Sequence, residues 1–155
     1  MLNFRPLEQE DLPFLLEVRN ECRGFLHDDR AFSLAECQAW FRDARPDFLM
    51  IEKDGERIGY IRLARPDDAH DSIQVGMDLH PKFRGLGLAS RAYELLWPWL
   101  KEHRQASRVC LEVLSHNERA ISLYRKLGFV EVGRSLSHSL RDGLAVDSIQ
   151  MTRAL

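Results

Sequence analysis

Apolar residues recur along this chain with two periods, and the switches between them mark its elements. Ile73, Val75, Met77 and Leu79 alternate with Gln74, Asp78 and His80, the period of a half-buried strand. Pro81 ends that strand because it has no N–H for a ladder. From Leu88 the spacing becomes helical, with Leu88, Ala92, Leu95 and Trp99 on one stripe and Ala89 and Leu96 widening it. Pro98 is expected to kink or end this helix near Trp97. Arg108 to Leu114 is apolar on both faces except at Glu112, as an interior strand would be.

The rest of the chain parses in the same way. Leu2 to Arg5 reads as a short strand stopped by Pro6. Leu12, Leu15, Leu16 and Arg19 trace a first helix, entered through the acidic turn of Glu8, Glu10 and Asp11 and ending near Arg19-Asn20. Cys22 to Phe32 is irregular and charged, either a solvated loop or a lip beside a substrate. Ser33 and Glu36 form a capping box for a second helix, with Leu34, Cys37, Phe41 and Ala44 inward and Trp40 flanking them. Phe48 to Lys53 and Arg57 to Leu63 are strands around an Asp54-Gly55 hairpin turn, and Arg65 to Asp71 is a polar turn. A last helix covers Asn117 to Leu127, capped by Gly128. Phe129 to Leu140 and Leu144 to Met151 close the chain as a hairpin around Arg141-Asp142-Gly143, with a bulge expected between Val146 and Ile149. The order β-α-α-β-β-β-α-β-α-β-β describes a mixed α/β sheet covered by helices, one domain over residues 1–155.

Between the central strand and its helix lies Arg84-Gly85-Leu86-Gly87-Leu88-Ala89. Two glycines let backbone approach a ligand closely, and the following helix aims unpaired N–H groups at it. Such a terminus suits a phosphate, and Arg84 adds a charge able to pair with one. A plain tight turn fits the glycines as well. A dinucleotide fingerprint would want glycine at Ser90, and a P-loop would want Gly-Lys-Ser/Thr. Arg84-x-x-Gly87-x-Ala89 resembles the pyrophosphate loop of the GNAT superfamily of N-acetyltransferases. A second stretch, Asn117-x-x-Ala120-x-x-Leu123-Tyr124-x-x-x-Gly128-Phe129, is similar to a strand-to-helix segment of the same family, in the same order and spacing. Leu111-Glu112-Val113 and the Glu112-to-Tyr124 interval resemble the branch acting on ribosomal-protein N-termini. Arg19-Asn20, the capping box before Trp40, and Asp142-Gly143, Asp147-Ser148 and Met151 resemble relatives acting on amino-sugar nucleotides.

The resemblance implies a fold in which two central strands splay to admit the pantetheine arm of acetyl-CoA. On that analogy Met77, Asp78 and Leu79 offer backbone groups to the arm. Arg84, Gly85, Leu86, Gly87, Leu88 and Ala89 wrap the pyrophosphate, and Asn117 holds the arm from the other side. Asn117 also reads as an ordinary helix N-cap.

The chemistry adds its own demand. An amine must lose a proton before it attacks a thioester, at a cost of about 4–5 kcal/mol for a lysine-like amine at neutral pH and roughly 1 for an α-amine. Glu112 is the candidate base, with apolar Cys110 and Leu114 on its face expected to bury it and raise its pKa. The alternative for Glu112 is a buried acid paired with an arginine. Asp78 is the rival base, while Gln74, where many relatives carry glutamate, cannot serve. Tyr124 is the general acid on the motif, and a core aromatic without it. Thiol catalysis by Cys110 lacks a nearby positive charge in sequence.

Composition narrows the class. Across 155 residues the net charge is -2, with both signs interspersed and no basic block, which argues against nucleic acid. Three cysteines without Cys-x-x-Cys spacing and six scattered histidines suggest neither a disulfide framework nor a metal site. The N-terminus does not read as a signal peptide and no apolar run reaches membrane length, so a cytoplasmic location is expected. Together these readings describe an acetyl-CoA-dependent N-acetyltransferase using direct transfer in a ternary complex, without a metal. Its acceptor is expected to be a protein N-terminus, an amino sugar (free or nucleotide-linked) or another small amine. The alternative is a non-catalytic acyl-CoA-binding module. The Arg23–Arg30 loop and the Ser135–Arg141 segment are expected to wall the acceptor site, with alternating Ser135, Ser137 and Ser139 either bonding a polar acceptor or facing solvent, and the closing hairpin offers an edge for a homodimer.

Overall fold

Asp54 and Gly55 both take positive φ, 51° and 83°, the geometry of a tight hairpin turn whose twist matches its strands. They join β2 (Asp47–Lys53) to β3 (Glu56–Ala64), which pair antiparallel. β1 (Leu2–Pro6) adds to the outer side of β2, and β4 (Ser72–Leu79) pairs antiparallel with β3. Beyond β4 come β5 (Arg108–Leu114), β7 (Leu144–Ala154) and β6 (Val130–Arg141), giving the sheet order β1-β2-β3-β4-β5-β7-β6. The computed structural model describes residues 1–66, 70–141 and 143–155, with the side chains of residues 137–141 and 144 excepted.

Four helices cover the sheet: α1 (Leu12–Cys22), α2 (Leu34–Ala44), α3 (Leu88–Arg104) and α4 (Glu118–Lys126). Strand alternation sorts the residues between two cores. Ile58, Ile61, Leu63, Ile73, Val75, Val109, Leu111 and Val113 face α3 and α4. Met50 and Tyr60 face the other way, into a smaller cluster with Leu12, Leu15, Val18 and Cys22 of α1 and Cys37 of α2. Asp11 anchors that second layer. Its fully buried carboxylate takes two hydrogen bonds from Arg5, at 2.7 and 2.8 Å, and lies 2.9 Å from Arg57.

Several sequence expectations need correcting. α3 does not stop near Trp97. Pro98 sits on its solvent side, where one lost backbone bond is tolerated, and burial of Leu96, Trp97 and Leu100 carries the helix on to Arg104. Its buried stripe is Leu88, Ala92, Tyr93, Leu96, Trp97 and Leu100, one step from the expected one, and Leu95 is exposed. α1 continues to Cys22, past Asn20. In α2 the capping box forms both its bonds at 3.1 Å, but only Cys37 is fully inward; Leu34 and Ala44 face solvent. The register between β6 and β7 slips between Ser135 and Ser139, opposite Val146–Ser148 where the bulge was expected. The extra residues lie on β6. The polar turn at residues 67–69, the hairpin residue Asp142, and the side chains of Ser137 and Ser139 lie outside the described residues.

Candidate active site

The parallel pairing of β4 with β5 is short. Ser72 faces Arg108, Ile73 faces Val109 and Gln74 faces Cys110, and there the register ends among the described residues. Past that point Val75–Leu79 and Leu111–Leu114 separate, while each stays paired with its outer neighbour, β3 or β7. Peptide groups on the facing edges are therefore left without a strand partner, which is costly in a core unless a ligand supplies one. A cavity of about 790 Å³ opens at this gap, lined by Met77, Asp78, Leu79, Arg84, Glu112, Asn117 and Tyr124 among others. The fold thus brings seven of the sequence-predicted site residues together. Gly85, Leu86, Gly87, Leu88 and Ala89 lie outside its lining, on the turn that follows.

At that turn Gly85 and Gly87 both have φ of +74°, a backbone state that costs L-residues strain. Gly87 is the N-cap of α3 and no side chain caps the helix, so its first N–H groups remain available to an anion. No atom lies within 4 Å of where a Gly87 side chain would begin, and at Gly85 the nearest group is the Arg119 guanidinium, at 3.4 Å. The donor set therefore fits a diphosphate. Leu88 is buried and Leu86 exposed, so these residues offer backbone rather than side chain. Arg84 Nε donates to the Leu79 carbonyl at 3.1 Å and its Nη2 to the Cys22 sulfur at 3.0 Å, which ties the turn to α1.

The two carboxylates exchange their expected environments. Glu112 is not buried: its side chain keeps 45 % of its exposure, because the gap that opens beyond Cys110 leaves that face of β5 uncovered. The burial invoked to raise its pKa is therefore absent. Asp78 is the buried acid paired with an arginine, its Oδ2 lying 3.1 Å from Arg62 Nε. Arg62 lies flat across β4 at its register partner Gly76, in space that any side chain there would fill.

Tyr124, on α4, stands edge-on to Tyr93 with ring centroids 6.0 Å apart and packs against Phe129 at 5.7 Å. Burial raises its phenol pKa, partly opposed by the Tyr93 hydroxyl and the Arg62 charge, so the phenol stays protonated. Tyr93 is itself fully buried beside Tyr124, and burial pushes its pKa well up. Asn117 caps α4 through a bond from the Ala120 N–H at 3.3 Å and also lines the cavity.

The charged segment between α1 and α2 is pinned over the cavity. His116 Nε2 lies 2.8 Å from the Gly24 carbonyl and its ring stacks on Phe25. His27 Nε2 lies 2.8 Å from Ser148 Oγ and 3.7 Å from Glu112 Oε2. Arg19 holds the segment from below, donating to the carbonyls of Arg30 and Asp28 at 2.6 and 2.9 Å. Ser135 is exposed on β6, away from this lining. Sequence reasoning missed the meeting of His27 with Ser148, and missed Arg62. The histidine and the serine meet across 121 residues with no local signal. Arg62 did carry one, as a lone charge inside an apolar strand.

Residues 1–130 match the acetyltransferase (GNAT) domain family. A spermidine N(1)-acetyltransferase of Escherichia coli (strain K12) is 26% identical over 156 residues, covering 97% of this chain and 84% of that protein. The crystal structure of spermidine N-acetyltransferase from Vibrio cholerae in complex with CoA and spermine superposes with a TM-score of 0.89 at 22% identity, covering 99% of this chain and 95% of that one. Ribosomal-protein-alanine N-acetyltransferase from Brucella melitensis gives a TM-score of 0.82 at 21% identity, with 99% of each chain covered. The structural matches speak to the fold, a mixed seven-stranded sheet with four helices.

Proposed function

This chain belongs to the GNAT family of acetyltransferases, and from that premise we propose that it moves the acetyl group of acetyl-CoA to the primary amine of a small molecule held under the Arg23–Ser33 segment. The acetyl-CoA-dependent N-acetyltransferase class follows from the family. The observation that carries the rest is the early end of the β4–β5 register at Gln74 and Cys110, with a cavity beyond it that reaches both a carboxylate and a phenol.

In this reading the turn from Gly85 to Ala89 supplies backbone N–H groups to the diphosphate, and the unpaired edge of β4 from Met77 to Leu79 takes the pantetheine amides. Asn117 borders the same slot. The thioester supplies an electrophilic carbonyl and a sulfur leaving group. Glu112 takes the proton that the ammonium must lose; its exposure leaves it reachable from the acceptor side. His27, at 3.7 Å, fixes where that carboxylate points. Tyr124 returns a proton to the departing sulfur, a role that requires a phenol still protonated in the working range, as its burial ensures. Asp78 is assigned to structure, because its buried carboxylate is engaged by Arg62.

Relatives are named for spermidine and for ribosomal-protein alanine as acceptors. A small amine is preferred here because the loop closes the cavity with bonds to both His116 and Ser148. The test is release of free CoA thiol on adding amines to the protein with acetyl-CoA. Tyr124→Phe is expected to lower kcat by on the order of 10²-fold while leaving acetyl-CoA affinity within about twofold. Unchanged turnover would remove Tyr124 from the mechanism.

A further inference from the structure

Resting on the reading above, the charge inventory at the acceptor end of the cavity says more about what enters it. Three arginines (Arg19, Arg30, Arg62) and four carboxylates (Asp28, Glu36, Asp78, Glu112) line that end. All but one of the carboxylates are committed. Asp28 takes Arg30 in a fork at 2.9 and 2.8 Å and has Arg19 at 3.9 Å. Asp78 faces Arg62 at 3.1 Å, and Glu36 accepts the Ser33 N–H at 3.1 Å. Glu112 is the exception: it caps no helix, unlike Glu36, and among the described residues no lysine or arginine lies within ion-pair distance of it, its ionisable neighbour being His27.

The walls are aromatic. Trp40 stands edge-on to Phe48 at 5.2 Å, Phe48 stacks on Tyr60 at 5.8 Å, and Phe32 lies on the far side with Arg19 over its face at 4.4 Å. We propose that the acceptor is a monoamine with an aromatic or otherwise apolar body, its single ammonium on Glu112 and its body against Trp40 and Phe48, and that polyamines are disfavoured. A second ammonium entering this space meets, among the described residues, no carboxylate free of both a cation and a helix cap, and passes beside Arg19 and Arg30. Burying a charge without a partner costs more than an aromatic face returns. An aromatic body instead gains from each well-placed ring contact. The cavity, about 790 Å³, suits one such molecule beside the end of the pantetheine arm.

The experiment compares kcat/KM by thiol release, at saturating acetyl-CoA, for 2-phenylethylamine, tryptamine, spermidine, spermine and a short peptide with an apolar first residue. The aromatic monoamines are expected to exceed the polyamines by at least about tenfold, which corresponds to 1.4 kcal/mol. Trp40→Ala is expected to remove about that factor for 2-phenylethylamine and so to narrow its margin over spermidine. Spermidine or spermine at equal or higher kcat/KM overturns the inference while leaving the acetyltransferase reading intact, and a preference for the peptide overturns its small-molecule part. If no amine turns over, calorimetry of 2-phenylethylamine into the acetyl-CoA-saturated protein decides: no binding overturns the inference. Failure of acetyl-CoA itself to bind overturns the reading beneath it.

Discussion

Arg62 Nε and Asp78 Oδ2 lie 3.1 Å apart across two neighbouring strands, and Gly76 is what lets the guanidinium lie there. A Cβ at Gly76 would fall 2.5 Å from Arg62 Nη2, the far end of a side chain that can swing away. A Cβ at Gly59 would fall 2.3 Å from the Asp78 carbonyl oxygen, which is backbone in the sheet and cannot move cheaply. Gly76→Ala is therefore expected to cost about 1 kcal/mol and Gly59→Ala about 3 or more. At about 2–4 °C per kcal/mol for a chain of this size, thermal melts separate the two. Equal losses would mean that Arg62 is as fixed as the strand.

Asp11 makes the stability of the second layer dependent on pH. Desolvation alone would raise its pKa, but hydrogen bonds from Arg5 and the Glu8 N–H, with the charges of Arg5 and Arg57, hold it below the ordinary carboxylate value. A carboxylate depressed in the folded state adds stability above its unfolded pKa of about 3.9, and that stability is lost as pH falls through the lower folded value. Asp11→Asn removes one partner from a buried cluster and is expected to cost about 3 kcal/mol at pH near 7. Urea unfolding of both proteins at neutral pH and near pH 3 checks it. The gap should narrow on the acid side, and a constant gap would place the loss in packing.

Much of the fold was legible because it follows from local rules. The alternation from Ile73 to Leu79, the Asp54-Gly55 turn and the Ser33–Glu36 box each specify their own segment. The cradle at Gly85 and Gly87 was legible for the same reason, since positive φ and an uncapped helix start are properties of a few consecutive residues. What failed depended on neighbours distant in sequence. Glu112 has apolar residues on its own strand face, but its exposure is set by the β5 edge parting from β4, which no pattern within β5 encodes. The contact of Arg84 with Cys22 was not legible, because Cys22 lies 62 residues earlier. The α3 stripe was placed one step off because Tyr93 and Trp97 were passed over in favour of Leu95 and Trp99.

Cys22 offers a test of how dry the junction beside Arg84 is. Burial pushes its thiol up to about 11, with Asp78 adding to the rise and Arg84 opposing it. A free cysteine near 8.5 is about one-quarter thiolate at pH 8, whereas this one would be about one part in a thousand. Burial likewise raises the Cys37 thiol. Alkylation of the native protein at about pH 8, followed by mass mapping, is expected to leave both unmodified until denaturant is added. Prompt labelling of Cys22 would show that the Arg84 contact does not close the junction to water.

If Glu112 is the proton acceptor, its loss should be repairable by solvent. Glu112→Gln keeps the shape and the cavity wall but removes the base, so the variant depends on the fraction of acceptor already present as free amine. For an alkylamine with a pKa near 10 that fraction rises about tenfold per pH unit from 6 to 9. The deficit relative to the parent protein should accordingly be largest near pH 6 and shrink by roughly 10³-fold by pH 9. His27→Asn, which removes the neighbour at 3.7 Å while keeping the carboxylate, should lower kcat/KM for the amine without that recovery. Stopped assays of both variants from pH 6 to 9 distinguish the roles. A deficit in Glu112→Gln that does not change with pH would instead assign the carboxylate to holding the ammonium, leaving water to accept the proton.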